Sequence, residues 1–438
     1  MQAVIMAGGK GTRLRSITND EIPKPMAPVA GKPILQWQVE QLRGQGITDI
    51  IMIIGHLGHK IREFFQAGQD FGVYIRYIEE TTPLGTAGAL SMLPPMLTEE
   101  NFFLVFGDVL FEIDLNRMAR FHREKSAIAT LFVHPNVHPF DSDLVVCDDQ
   151  GKVLKFDSKH NVRDYWYSNC VNAGFYLMNR EICSLVPENT KVDLEKQLLS
   201  GLIEQGKAVY GYQSPEYIKD VGTVERITRA EEELKSGFVA SRCLNRKQKA
   251  IFLDRDGTLN WKNGLVYREE QFELEDDVVE AVRAINRSGY LAIVITNQPV
   301  VARGLCDVED VERIHMKMET LFGREGVYLD AICFCPHHPD KGYPEENPAY
   351  KIHCHCRKPD IGMIEDCAER FNIDLSASWM VGDTTIDIQT GINAGTHTAL
   401  VLTGDAGSDG KYDVNPELTC TNLLEAVEMI LKRSMNHD

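Results

Sequence analysis

The sequence has no apolar run approaching the length of a membrane span, and its apolar N-terminal stretch breaks at Gly8 with no basic region ahead of it. Neither a spanning helix nor an export signal is expected, and a cytoplasmic location is. Positive charge is in deficit. The 46 Lys and Arg against 64 Asp and Glu give a formal net charge of −18, which excludes a broad nucleic-acid-binding or anionic-membrane-binding surface. Small anionic substrates are not excluded, because a few local Lys, Arg and Mg²⁺ charges decide such sites. Internal repeats and low-complexity tracts are also lacking. Cysteine number is odd, at 11, so reduced thiols or a metal site are expected rather than a disulfide framework. What is present is ordinary globular material: 438 residues, 43% hydrophobic and 25% charged. That length accommodates two or three domains with normal cores.

Short apolar runs ending in glycines or aspartates set the organisation. Ala3–Met6 predicts a buried parallel strand, Pro33–Gln45 a helix, and Asp49–Ile54 and Phe102–Phe106 the next strands. Ile128–His134, Leu144–Cys147 and Gly174–Leu177 read as further strands, and Thr223–Leu234 as a charged amphipathic helix. Apolar periodicity is then lost. A linker is placed at 237–248, between domains spanning 1–236 and 249–438. Ala250–Leu253 restarts the strand–loop–helix pattern, with Leu291–Ile295, Ala331–Phe334 and Trp379–Val381 as later strands. The alternation predicts α/β domains with ligands at the carboxyl ends of the strands.

The first strand opens into Ala7-Gly8-Gly9-Lys10-Gly11-Thr12-Arg13-Leu14. Gly8, Gly9 and Gly11 let backbone N–H groups approach a triphosphate, Arg13 can fork onto its oxygens, and Lys24 adds a point charge. This loop, Pro23-Lys24-Pro25 and Gly31-Lys32-Pro33 follow one another. Together they resemble the start of the nucleotidyltransferases that make nucleotide sugars, which implies a Rossmann-like, glycosyltransferase-A-like domain over about 1–234. The resemblance implies nucleotide contacts at Ala7, Gly8, Gly9, Gly11, Thr12 and at Gly85 in Leu84-Gly85-Thr86-Ala87-Gly88-Ala89. That last segment has the form common in mannose-type and heptose-type guanylyltransferases. It further implies Mg²⁺ at Asp108 and Asp220, and sugar contacts from Asn172 and Gly174 of Asn172-Ala173-Gly174-Phe175-Tyr176 and from Glu195. The reaction needs these types, since a sugar 1-phosphate oxygen attacks the α-phosphorus of a nucleotide and no covalent enzyme intermediate forms. One departure stands out. Phe156-Asp157-Ser158-Lys159-His160 keeps Lys159 as a sugar-phosphate grip but has Ser158 where the family often has Glu.

The second kit is Asp254-Arg255-Asp256-Gly257-Thr258-Leu259-Asn260. In extended geometry Asp254 and Asp256 face one side, so one can attack phosphorus while the other protonates the leaving oxygen and later activates water. Thr296-Asn297-Gln298 can bind phosphoryl oxygens, Lys358 can neutralise the transition state, and Gly382-Asp383 with Asp387 can supply a Mg²⁺ carboxylate. Their order resembles the haloacid-dehalogenase (HAD) phosphatases, a second Rossmannoid fold, with Mg²⁺ held by Asp254, Asp256 and Asp383.

Cys335, His337, Cys354 and Cys356 form a soft three-sulfur, one-nitrogen set suited to tetrahedral, structural Zn²⁺ beside Lys358. This zinc loop resembles those of the heptose 1,7-bisphosphate 7-phosphatases and of the histidinol-phosphatase domain. Cys335-Pro336-His337-His338-Pro339 and Ala302-Arg303-Gly304 fit the heptose group better. That resemblance implies substrate contacts from Asn297, Arg303 and Arg357. Here Gln298-Pro299-Val300-Val301 departs from the group's usual Gln-Ser-Gly-Ile, and Pro299 removes an N–H donor.

The combined expectation is a bifunctional enzyme of nucleotide-activated heptose synthesis feeding surface polysaccharide or lipopolysaccharide. Its partners are heptose bisphosphate, heptose 1-phosphate and GTP or another nucleoside triphosphate, with no nucleic acid and no membrane. Two alternatives stay open. One is a hexose 1-phosphate nucleotidyltransferase fused to a sugar-type or histidinol-type phosphatase, the other a nucleotide-sugar sensor on a phosphatase. A homo-oligomer is also left open, its state not being legible.

Overall fold

In a computed structural model of the chain, residues 1–9, 14, 18–19 and 21–435 are described. The chain forms two compact units. The first comprises residues 1–134, 143–158 and 170–243. The second comprises 135–142, 159–169 and the chain from Leu244 onward. Among the described residues no helix is long and apolar enough to cross a membrane.

The strands of the first unit, in chain order, are β1 (Gln2–Ala7), β2 (Pro28–Val29), β3 (Lys32–Pro33), β4 (Asp49–Ile54), β5 (Tyr74–Glu79), β6 (Asn101–Phe106), β7 (Val109–Glu112), β8 (Ala129–His134), β9 (Leu144–Cys147), β10 (Val153–Asp157), β11 (Val171–Asn179), β12 (Val209–Gln213) and β13 (Tyr217–Asp220). The main sheet runs β10-β9-β11-β6-β1-β4-β5, with β8 joining β11 to β12. The β6-β1-β4-β5 portion is parallel, so β1 is a central strand and its residues 3–5 are fully buried. That burial on both faces is why the run reads as continuous apolar sequence rather than as alternation. A separate antiparallel ribbon pairs β7 with β13. The stretch expected as a linker begins with a short helix, Phe238–Ser241. Its Val239 packs with Tyr217, Val221, Ile227 and Ala230.

In the second unit, β14 (Lys249–Leu253), β15 (Tyr290–Asn297), β16 (Ala331–Cys335), β17 (Trp379–Gly382), β18 (His397–Val401) and β19 (Leu418–Cys420) form one parallel sheet. Its order is β16-β15-β14-β17-β18-β19. Strand order reverses at β14, where the carboxyl edge offers a crevice for ligands. The helix Val308–Arg324 follows β15. Its Ile314, Met318 and Phe322 enter the core with Val294 and Ala292.

Candidate active sites

β1 delivers Ala7, Gly8 and Gly9 to the carboxyl edge of the first sheet. A Cβ on Gly8 would lie 2.5 Å from Oε2 of Glu80, so that carboxylate and the loop meet only because residue 8 has no side chain. The Leu84 N–H donates to Glu80 Oε1 at 3.1 Å, and burial pushes the Glu80 carboxyl upward in pKa. Gly85 has φ +81°, and a Cβ there would lie 2.5 Å from the Val192 carbonyl oxygen. Both the turn and the close approach demand glycine. Gly11, Thr12 and Arg13 lie outside the described residues.

The β7–β13 ribbon explains how two aspartates more than a hundred residues apart meet. Asp220 pairs with Val109, and the Val221 N–H donates to the Asp108 carbonyl at 2.9 Å. Lys24 Nζ binds Asp108 Oδ2 and lies 3.9 Å from Asp220 Oδ1. Arg226, one turn into the next helix, holds Asp220 Oδ2 at 2.6 Å. A Cβ on Gly222 would stand 2.7 Å from Lys24 Nζ, so glycine there admits the lysine. Asp220 Oδ1 is buried without a hydrogen bond. An orphaned carboxylate oxygen beside a second aspartate is a fitting pair of hard ligands for Mg²⁺.

The expected sugar residues Asn172, Gly174 and Glu195 come together. Asn172 Nδ2 donates to Glu195 Oε1 at 2.8 Å, and the Tyr176 hydroxyl donates to the same oxygen at 2.6 Å. Burial raises the Glu195 pKa, while the Tyr176 bond opposes that shift. Gly174 adopts φ +72° where the β11 register shifts. A Cβ there would approach the Phe106 ring to 2.9 Å. Lys159 follows β10 in the 159–169 segment, which groups with the second unit.

In the second unit the chain leaves extended geometry after Leu253. The Arg255 carbonyl accepts N–H bonds from Thr258, Leu259 and Asn260 at 3.3, 2.8 and 3.1 Å. Asp254 and Asp256 therefore take separate partners, and the Asp256 carboxylate, expected as a Mg²⁺ ligand with Asp254 and Asp383, is held instead by Arg255, Asn260 and Gln298, outside the cluster of Asp254, Asp383 and Asp387. Lys358 Nζ lies 2.8 Å from Asp254 Oδ1 and 2.6 Å from Asp387 Oδ1. Asp254, Asp383 and Asp387 are all buried, with ligand atoms close enough to share one cation. Burial pushes the Asp254 pKa up to about 6 even against the Lys358 charge. Burial and the neighbouring Asp254 and Asp387 charges push Asp383 to about 7. Asp383 Oδ1 is buried without a partner. Crowded, desolvated carboxylates with an unfilled acceptor fit a divalent cation. Gly257, at φ +88°, leaves no room for a Cβ against Asp383 Oδ2.

Asn297 clamps the lysine loop: its Oδ1 accepts from the Lys358 N–H at 3.0 Å and its Nδ2 donates to the Lys358 carbonyl at 3.1 Å. Thr296 is buried, and its hydroxyl oxygen accepts from Gln298 Nε2 at 3.0 Å. Arg357 donates to the His337 carbonyl at 3.1 Å, and Arg303 lies 4.5 Å from the centre of the Tyr343 ring. Beside Gly304, a cavity of about 540 Å³ is walled by Asp307, Glu309, Glu345 and Glu346.

Cys335, His337, Cys354 and Cys356 cluster as expected. The Cys335–Cys354, Cys335–Cys356 and Cys354–Cys356 sulfur distances are 3.5, 3.2 and 3.2 Å, and His337 Nδ1 is 3.4 Å from Cys356 Sγ. The three thiol sulfurs and one imidazole nitrogen thus sit at the corners of one small polyhedron that could hold a metal ion. A tetrahedron with ligand distances of about 2.3 Å has edges of about 3.8 Å, slightly longer than these.

Sequence reasoning missed several residues here. Lys262 bridges Asp383 at 3.2 Å and Asp405 at 2.6 Å. Gln298, Arg255 and His315 form a buried network around Asp256. A charged residue between two catalytic-type aspartates was the available signal for Arg255. His315 gave none, because one histidine in an amphipathic helix reads as core.

A nucleotidyl transferase family model matches residues 2–237, and a HAD-hydrolase-like model matches residues 355–426. The D-glycero-alpha-D-manno-heptose 1-phosphate guanylyltransferase of Aneurinibacillus thermoaerophilus is 34% identical over 235 residues, covering 54% of this chain and 99% of that protein. The D-glycero-beta-D-manno-heptose-1,7-bisphosphate 7-phosphatase of Photorhabdus laumondii is 42% identical over 156 residues, covering 35% of this chain and 81% of that protein. A UTP--glucose-1-phosphate uridylyltransferase of Synechocystis is 35% identical over 237 residues, which is 51% of this chain and 61% of that protein. The chain therefore spans less than two thirds of the Synechocystis relative.

Proposed function

From its membership of the nucleotidyl transferase family over residues 2–237 and, in its C-terminal unit, of the heptose-bisphosphate 7-phosphatases, we propose that this chain carries out two consecutive steps. It removes the 7-phosphate of D-glycero-D-manno-heptose 1,7-bisphosphate. It then joins the heptose 1-phosphate to GMP from GTP, releasing pyrophosphate. The functional division is 1–236 for the transferase, 249–438 for the phosphatase and 237–248 between them.

In the phosphatase, an Asp254 oxygen attacks phosphorus while Asp256 gives its proton to the departing sugar oxygen. Asp256 then takes a proton from water as that water attacks the aspartyl phosphate, which frees inorganic phosphate and restores Asp254. Lys358 and Thr296 hold the phosphoryl oxygens. Mg²⁺ on Asp254 and Asp383 supplies countercharge when bound. In the transferase, Lys24, Arg13 and the glycine loop hold the triphosphate. Asp108 and Asp220 are the Mg²⁺ carboxylates, and Asn172 and Glu195 take sugar hydroxyls. Zn²⁺ on Cys335, His337, Cys354 and Cys356 is structural, since four protein ligands leave no open position.

Glu80 supports GTP. Guanine alone among the bases has an N–H and an NH₂ side by side on its pairing edge, and a carboxylate offers two acceptors to such a pair. The observation that carries the whole reading is the grip of Lys358 on two buried carboxylates in one unit, in a chain whose other unit joins Asp108 to Asp220 through Lys24. The enzyme works in the cytoplasm, where nucleoside triphosphates are made, and supplies surface polysaccharide or lipopolysaccharide synthesis. Heptose and hexose 1-phosphates tested against four nucleoside triphosphates, with pyrophosphate detection, check the assignment. Heptose 1-phosphate with GTP should be the best pair, and a hexose 1-phosphate outperforming it would overturn the sugar reading.

A further inference from the structure

Among the described residues Arg255 is the largest fully buried side chain, and it stands between the two aspartates of the phosphatase loop. Each of its three guanidinium nitrogens has a partner. Nη2 donates to Asp256 Oδ1 and Oδ2 at 3.0 and 2.9 Å and to Gln298 Oε1 at 2.9 Å. Nε reaches Asp256 Oδ1 at 3.2 Å, and Nη1 lies 3.2 Å from Nε2 of His315. Gln298 closes the ring by donating through Nε2 to Asp256 Oδ2 at 2.9 Å and to Thr296 Oγ1 at 3.0 Å. Asn260 Nδ2 adds a bond to Asp256 Oδ1 at 3.1 Å.

His315 is the outer anchor. It lies on the helix Val308–Arg324, is 6% exposed and packs edge-on to Phe334 at 5.2 Å. Burial and the Arg255 charge hold it well below the ordinary histidine pKa. It is therefore a neutral imidazole whose Nε2 lone pair accepts the guanidinium N–H.

A buried ion pair contributes little net stability, because desolvation offsets the attraction. What this pair does provide is geometry, since a guanidinium is a rigid planar fork. We propose that Arg255, anchored on His315 and bridged by Gln298 to Thr296, is the positioning residue that fixes the Asp256 carboxyl plane for proton transfer to the leaving sugar oxygen. With the proton carried on Asp256 Oδ2, Oδ1 keeps the bonds from both Nε and Nη2 of Arg255. Gln298 sets the distance from that carboxyl to the phosphoryl grip of Thr296.

The inference rests on the phosphatase reading above, and leaving-group dependence tests it. An alkoxide leaving group needs the Asp256 proton, whereas a nitrophenolate does not. In the full-length protein with Mg²⁺, Arg255→Lys should lower kcat on heptose 1,7-bisphosphate about 100-fold, the lower end of a general-acid contribution. Its KM should stay within about 3-fold and its loss on nitrophenyl phosphate below about 5-fold, because only proton transfer is affected. His315→Leu should show the same selectivity at about 10-fold, and His315→Gln, which restores an acceptor at the Nε2 position, should recover most of it. Should Arg255→Lys not fold, the Leu–Gln pair at 315 carries the test alone. Equal loss on both substrates, or no recovery in His315→Gln, overturns the inference. Wild-type protein hydrolysing neither substrate overturns the phosphatase reading beneath it.

Discussion

Asp254 and Glu80 show how one side chain can carry one activity. Asp254 is buried and paired with Lys358, and the reading makes it the nucleophile. Asp254→Asn should lower phosphate release at least about 1,000-fold, as loss of a covalent nucleophile does. Sugar-nucleotide formation should stay within about 2-fold, because Lys24, Asp108, Glu195 and Asp220 lie in the other unit. Measuring both products on one preparation decides it, and loss of both in a folded variant contradicts separate centres. Glu80→Gln keeps the side-chain shape but puts a donor where guanine also donates. It should cost GTP about 10- to 100-fold in kcat/KM, the range for a hydrogen bond to a charged group, while changing UTP use little. Equal loss with both nucleotides would contradict base recognition by Glu80.

Residues were legible where one local loop holds its own chemistry. Asp254, Asp256 and Gly257 are such a case, since they fall within four consecutive positions after one buried strand. Arg255 and His315 were not, because their meaning arises from a contact across 60 positions.

At the scale of elements, the long buried strands were readable from sequence. Asp49–Ile54 and Leu144–Cys147 were expected with these bounds and form β4 and β9. The β7–β13 ribbon was not expected. Its strands have four residues each, too few for a periodic signal, yet the ribbon brings Asp108 to Asp220. The cluster of Cys335, His337, Cys354 and Cys356 was legible from its ligand types. Purified protein should contain about one zinc per chain, and Cys354→Ser with Cys356→Ser should lower Tm more than it lowers kcat. Protein purified without chelator and free of zinc would contradict the site.

The helix Leu115–Glu124 makes a pH-dependent contact. His122 is buried, with Nδ1 2.8 Å from Thr130 Oγ1, and burial holds its pKa down at about 4. The unfolded chain takes up that proton near pH 6.5. The folded state is thus favoured above pH 6.5, and the contribution fades as pH falls toward 4. The Tm advantage of wild type over His122→Gln should shrink between pH 7 and pH 4.5. A constant difference would contradict a buried neutral imidazole.

For the whole molecule, the proposed function requires an order of action. If the transferase uses the 1-phosphate as its nucleophile, the phosphatase must spare it and remove the remote group. The two-part α/β plan was readable because a buried strand followed by a glycine- or aspartate-bearing loop recurs at Gln2–Ala7 and at Lys249–Leu253. The assignment of residues 135–142 and 159–169 to the second unit was not, since nothing in their composition marks them. The most direct test is phosphorus NMR of heptose 1,7-bisphosphate, GTP and Mg²⁺ incubated with wild-type protein and with Asp108→Ala. The wild type should yield inorganic phosphate, pyrophosphate and a GDP-sugar. The variant should stop at heptose 1-phosphate, having lost a Mg²⁺ carboxylate. Accumulation of heptose 7-phosphate in either sample would contradict the coupling of the two centres.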